Sequence, residues 1–206
     1  MDMNFSRAET GPGHLAISRA IADLSSGDPV IITGAADGPF MMIAASGVTP
    51  QGINLMAAHA RGLVGMVISS RRAAALGLEM QPRSGRETAP HYTRSIEAAQ
   101  GTTTGISAED RALTIRAAAF GGPDDIVSPG HIFPQVSDDR DNTQAALALR
   151  LAGAAGAAPV AAICTILDAS GDVAGQAHAQ LVADKLDVAV IDAADLLGAT
   201  GPEHFL

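Results

Sequence analysis

Short runs of consecutive apolar residues alternate along the chain with segments in which apolar residues recur at helical spacing. Leu15, Ile17, Ile21 and Leu24 predict a helix that ends at Ser25-Ser26-Gly27-Asp28-Pro29. Val30 to Ile32 and Phe40 to Ala45 predict two strands joined across Gly34-Ala35-Ala36-Asp37-Gly38-Pro39, a hairpin. Thr49-Pro50 opens a helix through His59, Leu63 to Ile68 reads as another strand, and Ser69-Ser70 caps a brief helix from Arg71 to Leu76. Residues 80 to 91 are a polar loop, and Tyr92 to Ala98 predicts one strand. The segment through Ser128-Pro129-Gly130 reads as long and irregular, with an acidic tip at Asp138-Asp139-Arg140-Asp141 before a helix from Thr143 to Leu151. The last third alternates cleanly: strand Val160 to Leu167, turn Asp168 to Asp172, helix Gln176 to Leu186, strand Val188 to Ile191, helix Ala193 to Leu197. Hairpins early and βαβ-like alternation late predict an α+β or layered α/β domain over residues 14–206, preceded by a flexible arm over 1–13.

The densest chemistry lies between Ile96 and Arg116. Gln100-Gly101-Thr102-Thr103-Thr104-Gly105 resists helix formation, because two glycines and three β-branched threonines disfavour it. Ser107 with Asp110 three residues later resembles a capping box, with Asp in place of Glu or Gln. The helix that follows stops at Gly121-Gly122-Pro123. Two readings stand: a plain strand–loop–helix connection, or an anion site in which threonine hydroxyls and free helix N–H groups face a phosphate.

Composition narrows the partners. A formal charge of −9 argues against a nucleic-acid surface, which needs clustered Lys and Arg. Aromatic residues make up 3% of the chain, so the core is built from Ala, Val, Ile, Leu and Met. The single Cys164, flanked by apolar residues, reads as a buried strand thiol, and it fits a reducing compartment. The first residues carry no signal-peptide pattern, and no apolar run approaches the ~18 residues a membrane helix requires. The expectation is a soluble, cytoplasmic protein. Asp37, Asp138, Asp139, Asp141 and His131 are the available ligands for a rebuilt metal site, but an acidic loop tip is more often simply solvated.

Ile96-Glu97-Ala98, Thr103-Thr104-Gly105-Ile106-Ser107-Ala108, Asp110-Arg111, Thr114 to Arg116, Pro129-Gly130-His131-Ile132-Phe133-Pro134 and His59 with Arg61-Gly62-Leu63 together resemble the 3,4-dihydroxy-2-butanone 4-phosphate synthase family. The resemblance implies a three-layer αβα sandwich, a homodimer, and a lyase that splits ribulose 5-phosphate into a four-carbon ketone phosphate and formate, with Mg²⁺ as cofactor. It further implies a GTP cyclohydrolase II as a fused or neighbouring partner. By resemblance Arg140 and Thr143 contact the sugar phosphate, Thr103, Thr104 and Asp110 lie in the conforming substrate-binding segment, and His131 matches a catalytically important histidine.

Three departures concern the chemistry. The family's acidic loop, Asp-x-Asp-Arg-Glu-Asn-Glu-Gly-Asp, is replaced by Thr33-Gly34-Ala35-Ala36-Asp37-Gly38-Pro39, with one carboxylate. Its Arg-Gly-Gly-His-Thr-Glu becomes Arg140-Asp141-Asn142-Thr143-Gln144, without the metal-ligand histidine. The catalytic Glu after the buried cysteine becomes Thr165, which cannot act as a carboxylate acid or base. Three functions follow as alternatives: an inactive or non-canonical member that binds a phosphorylated sugar, an active lyase, and a new enzyme that uses the phosphate pocket with other acid–base groups. Binding fits the retained residues better than turnover, and no metal is expected to be held securely.

Overall fold

In the computed structural model the described residues are 12–83, 85, 90–138 and 141–199. The expected arm therefore lies outside them up to residue 11, as do Asp139 and Arg140 of the acidic tip and most of the polar loop beyond Arg83. The first helix, α1, already begins at Pro12 and runs to Ser26.

The strands are β1 (Val30–Thr33), β2 (Phe40–Ala44), β3 (Gly65–Ile68), β4 (His91–Tyr92), β5 (Ile96–Ala98), β6 (Ile126–Ile132), β7 (Pro134–Val136), β8 (Val160–Thr165) and β9 (Ala189–Asp192). The remaining helices are α2 (Pro50–His59), α3 (Ser70–Ala75), α4 (Ala108–Phe120), α5 (Gln144–Ala154), α6 (Gln176–Leu186) and α7 (Ala193–Ala199). Seven strands form one mixed sheet in the order β4-β7-β3-β8-β2-β1-β9, and β5 and β6 form a separate pair. Among the described strands only β1 with β9 and β3 with β7 run parallel; β1–β2 is the expected hairpin.

The central strands are buried on both faces, which is why they read as unbroken apolar runs rather than alternating ones. Ile31, Met41, Ile43, Met66, Ala162 and Cys164 pack with Ile53 and Met56 of α2, Ile115 of α4 and Val182 of α6. Val30, Ile32, Phe40, Met42, Val67 and Ala161 pack on the opposite side with Leu24 of α1, Leu147 and Leu151 of α5 and Leu196 of α7. The result is the expected three-layer αβα sandwich.

Two expectations fail, both around the small sheet. The single strand from Tyr92 to Ala98 is two strands: β4 pairs with β7 in the main sheet, whereas β5 pairs with β6. The break falls at Thr93, fully buried, whose N–H goes to the Pro134 carbonyl and whose hydroxyl goes to the Arg94 carbonyl. The segment expected to be irregular is β6. Pro129 is tolerated there because β6 pairs on one side only, so the missing N–H costs no ladder bond. Gly130 lies directly against the Ile96 backbone, where a Cβ would collide, and Ser95 ties the pair by accepting from the Gly130 N–H.

Phe40, fully buried between the sheet and α5, tests this packing. Phe40→Ala is expected to cost about 3–5 kcal/mol, seen as a lower urea midpoint at unchanged slope.

Candidate functional site

The threonine turn is built around Asp110. Gly101 and Gly105 take positive φ values of 82° and 79°, which threonine would resist, and fold residues 101–105 back over the start of α4. Ser107 caps that helix, its hydroxyl accepting from the Asp110 N–H at 3.0 Å. The carboxylate does not complete a capping box. It turns into the loop and accepts from the Thr103 N–H (3.1 Å), the Thr103 hydroxyl (2.9 Å) and the Gly105 N–H (2.9 Å). Asp110 is almost fully covered; burial alone would raise its pKa, but hydrogen bonds from Thr103, Ser107 and Gly105 outweigh it and hold the carboxyl below its usual range. The turn thus already holds one anion, supplied by its own chain. Thr103 is spent on that task, whereas the exposed Thr104 hydroxyl and the Ala108 and Glu109 N–H groups have no protein partner among the described residues.

Beside the turn, His131 Nδ1 pairs with the Glu97 carboxylate. Gly105 sits beneath this pair, where any Cβ would run into the Glu97 carboxylate and the imidazole. Nδ1 faces the carboxylate, so Nε2 is the open nitrogen of a half-exposed ring. Glu97 stands out in the sequence only within Ile96-Glu97-Ala98, and no local pattern marks it, because its carboxylate reaches His131 through the pairing of β5 with β6.

The second group lies at the end of the sheet where β8 finishes. Gln144, the first residue of α5 and 5% exposed, donates its N–H to Asp37 Oδ1 at 2.8 Å. Its side-chain Nε2 donates to the carbonyls of Asp37 and Gly38, each at 3.1 Å, and its Oε1 accepts from the Thr165 hydroxyl at 3.0 Å. Asn142 Nδ2 donates to the Gly34 carbonyl and its main-chain carbonyl accepts from the Ala36 N–H, while its buried Oδ1 has no partner among the described residues. Beyond this lock lies a cavity of about 110 Å³ lined by Leu63, Tyr92, Phe133, Gln135, Gln144 and Thr165, among others. Burial pushes the Tyr92 phenol up, and the Asp37 charge pushes it further, so the phenol is neutral and able to donate. Burial also raises Asp37, against its hydrogen bond from Gln144.

The expected site residues therefore fall into two groups. Thr103, Thr104, Asp110 and His131 form one. Thr143 belongs to the other: it caps α5, accepting from the Ala146 N–H and donating its hydroxyl to Asp141 at 2.7 Å. Arg140 lies outside the described residues. No hydrogen bond or ion pair joins the groups among the described residues, although Phe133, two residues after His131, lines the cavity of the second. Cys164 is buried and its thiol pushed up to about 11 by that burial, an inert core group as expected.

The profile of the 3,4-dihydroxy-2-butanone 4-phosphate synthase family matches residues 18–199. The chain belongs to that family. It is 39% identical over 194 residues to the 3,4-dihydroxy-2-butanone 4-phosphate synthase of Neisseria meningitidis serogroup B, an alignment covering 88% of this chain and 53% of that one. It is 36% identical to the riboflavin biosynthesis protein RibBA of Aquifex aeolicus, covering 88% and 48% respectively. A crystal structure of a 3,4-dihydroxy-2-butanone 4-phosphate synthase in complex with two magnesium ions superposes with a TM-score of 0.84 at 26% identity, over 92% of this chain and 99% of that one. The chain spans about half the length of the Neisseria meningitidis relatives it matches.

The groups at the end of the sheet do not suit Mg²⁺, which favours hard, largely anionic oxygens in near-octahedral array. Asp37 already accepts from Gln144, residue 144 is an amide, and Asp141 is engaged by Thr143. Asp138 accepts from the Ser70 N–H, and His131 is paired with Glu97. Among the described residues no three His, Cys, Asp or Glu side chains stand close enough to share an ion.

The Asp110 cage has a pH signature. Because its pKa is depressed in the folded protein, its contribution is fully present above the ordinary carboxylate value of about 3.9 and is lost as pH falls through the lower folded value. Asp110→Asn is therefore expected to melt below wild type at neutral pH. The gap should close progressively below about pH 4, as followed by thermal unfolding across a pH series.

Proposed function

We propose that this chain is a member of the family that binds a phosphorylated sugar without performing the lyase reaction, in a riboflavin-biosynthesis setting. The observation that carries the reading is the lock at the end of the sheet. Where the resemblance implies a metal-binding loop, a metal-ligand histidine and a catalytic Glu, Gln144, Thr165 and the backbone of the β1–β2 tip satisfy one another with uncharged groups, and the lone Asp37 carboxylate is already bonded. Proton abstraction and enediol stabilisation need a free base or a cation there. The threonine turn, by contrast, is pre-organised by Asp110 and leaves Thr104 and the first N–H groups of α4 open to an anion.

The riboflavin setting is supported by the relatedness to the Aquifex aeolicus protein, and a GTP cyclohydrolase II partner and a homodimer belong to the same proposal by family resemblance. So does a cytoplasmic location. No helix among the described residues is long and apolar enough to cross a membrane.

The Glu97–His131 pair favours a second reading, in which the chain turns over a related phosphorylated substrate with His131 as base and Glu97 holding its tautomer. Nε2 would take the proton while Nδ1 stays bonded to the carboxylate.

Three measurements decide between these readings. Incubation with ribulose 5-phosphate and Mg²⁺ is expected to release no formate at high protein concentration; formate at a rate proportional to protein overturns the first reading. Calorimetric titration with ribulose 5-phosphate is expected to show binding that Thr104→Val weakens about tenfold or more, the worth of one hydrogen bond to a charged group. If turnover of any phosphorylated sugar is found, His131→Ala should lower it by about 10²–10⁴, and Glu97→Gln should lower it less.

A further inference from the structure

The β1–β2 tip presents an unusual concentration of oxygen acceptors to one place. The Asp37 and Gly38 carbonyls and the Asp37 carboxylate all point at the first residue of α5, and the Gly34 carbonyl lies beside them against Asn142. Converging hard oxygens of this kind repel one another unless something positive stands between them. In this chain that role falls to N–H groups. The Gln144 carboxamide offers both its N–H bonds to the two carbonyls, its main-chain N–H goes to the carboxylate, and its oxygen accepts from Thr165 at the end of β8. A side chain 5% exposed thus has every polar atom satisfied, and it fastens the hairpin tip, α5 and β8 together in one knot.

We propose that Gln144 is a covalently tethered replacement for a divalent cation at this position. It holds the hairpin tip against α5 and shapes the cavity lined by Tyr92, Phe133 and Thr165 without any metal. Amide and carboxylate are nearly isosteric, but an amide has two donors and a carboxylate has none. The identity of residue 144 therefore decides whether the tip is self-sufficient or depends on a cation. A Glu at 144 would turn an acceptor oxygen, in place of the amide donor, towards the Asp37 and Gly38 carbonyls, close to the Asp37 carboxylate. The Thr165 hydroxyl would be the one donor left to the side chain, while the main-chain N–H stays on Asp37. A divalent cation would relieve exactly that excess of oxygens by coordinating them.

The inference uses the same hydrogen bonds as the proposed function but does not depend on what the chain binds, and its test contains no sugar phosphate. The full chain is melted with EDTA and with millimolar Mg²⁺ or Mn²⁺. Wild type is expected to melt at the same temperature in all three conditions. Gln144→Glu should melt roughly 5–10 °C lower in EDTA and recover saturably with the divalent ion, whereas Gln144→Ala should be destabilised without recovering. A folded Gln144→Glu that ignores both ions overturns the proposal. So does a wild type whose melting temperature rises saturably with Mg²⁺ and loses that response in Asp37→Asn. Calorimetric titration of wild type with Mg²⁺ keeps the proposal open to refutation if Gln144→Glu does not fold: a saturable heat that Asp37→Asn removes contradicts it, and no such heat supports it.

Discussion

The constraint on which the end of the sheet depends is that the buried polar atoms of Gln144 must be paired. Gln144 enters α5 at the point where the β1–β2 hairpin, the last residue of β8 and the helix start converge. At 5% exposure it has no solvent to fall back on. Its amide is satisfied only because the tip carbonyls, the Asp37 carboxylate and the Thr165 hydroxyl stand at hydrogen-bond distance. Losing any one of them leaves a neighbour desolvated and unpaired, at a cost of about 1–3 kcal/mol. The knot is therefore cooperative. It also consumes the groups that acid–base or metal chemistry at this place would need.

Asp110 imposes the same logic on the other group of residues. A turn of two positive-φ glycines and exposed threonines has backbone N–H groups to satisfy, and an internal carboxylate does so. That choice fixes the turn and sets Gly105 beneath the Glu97–His131 pair. It also divides the threonines: Thr103 braces the turn, and the exposed Thr104 hydroxyl has no partner among the described residues. One group is thus a braced, partly open wall with an imidazole beside it. The other is a hydrogen-bonded floor with a single carboxylate, Asp37, under a small cavity.

Much of the fold was legible in the sequence because the central strands are buried on both faces. Val30 to Ile32, Phe40 to Ala44 and Val160 to Thr165 could hardly be anything but inner strands, and Thr49, Ser69, Ser107 and Thr143 each cap the helix they precede. The small sheet was not legible. Pro129 and Gly130 signal a loop locally, and only the one-sided pairing of β6 and the close approach of Ile96 make them strand residues. The site was half legible. The losses at residues 33–39, 142 and 165 could be read from the motif, but not what filled the gap. Gln144 is an ordinary helix residue until its tertiary partners, 21 to 107 positions away, are known. Glu97 and His131 are 34 residues apart and meet only through the register of β5 and β6. Asp110 was read as half of a capping box, the local use of its carboxylate, whereas the loop claims it instead.

The central claim is that a binding wall survives in this family member beside a floor that has no place for a cation. A crystal structure of the full chain soaked with ribulose 5-phosphate and Mn²⁺, with anomalous data at the manganese edge, tests both halves at once. The account predicts phosphate density against Thr104 and the start of α4, the Gln144 hydrogen bonds intact, and no anomalous peak beside Asp37. Manganese bound at Asp37 with the Gln144 side chain displaced would contradict it.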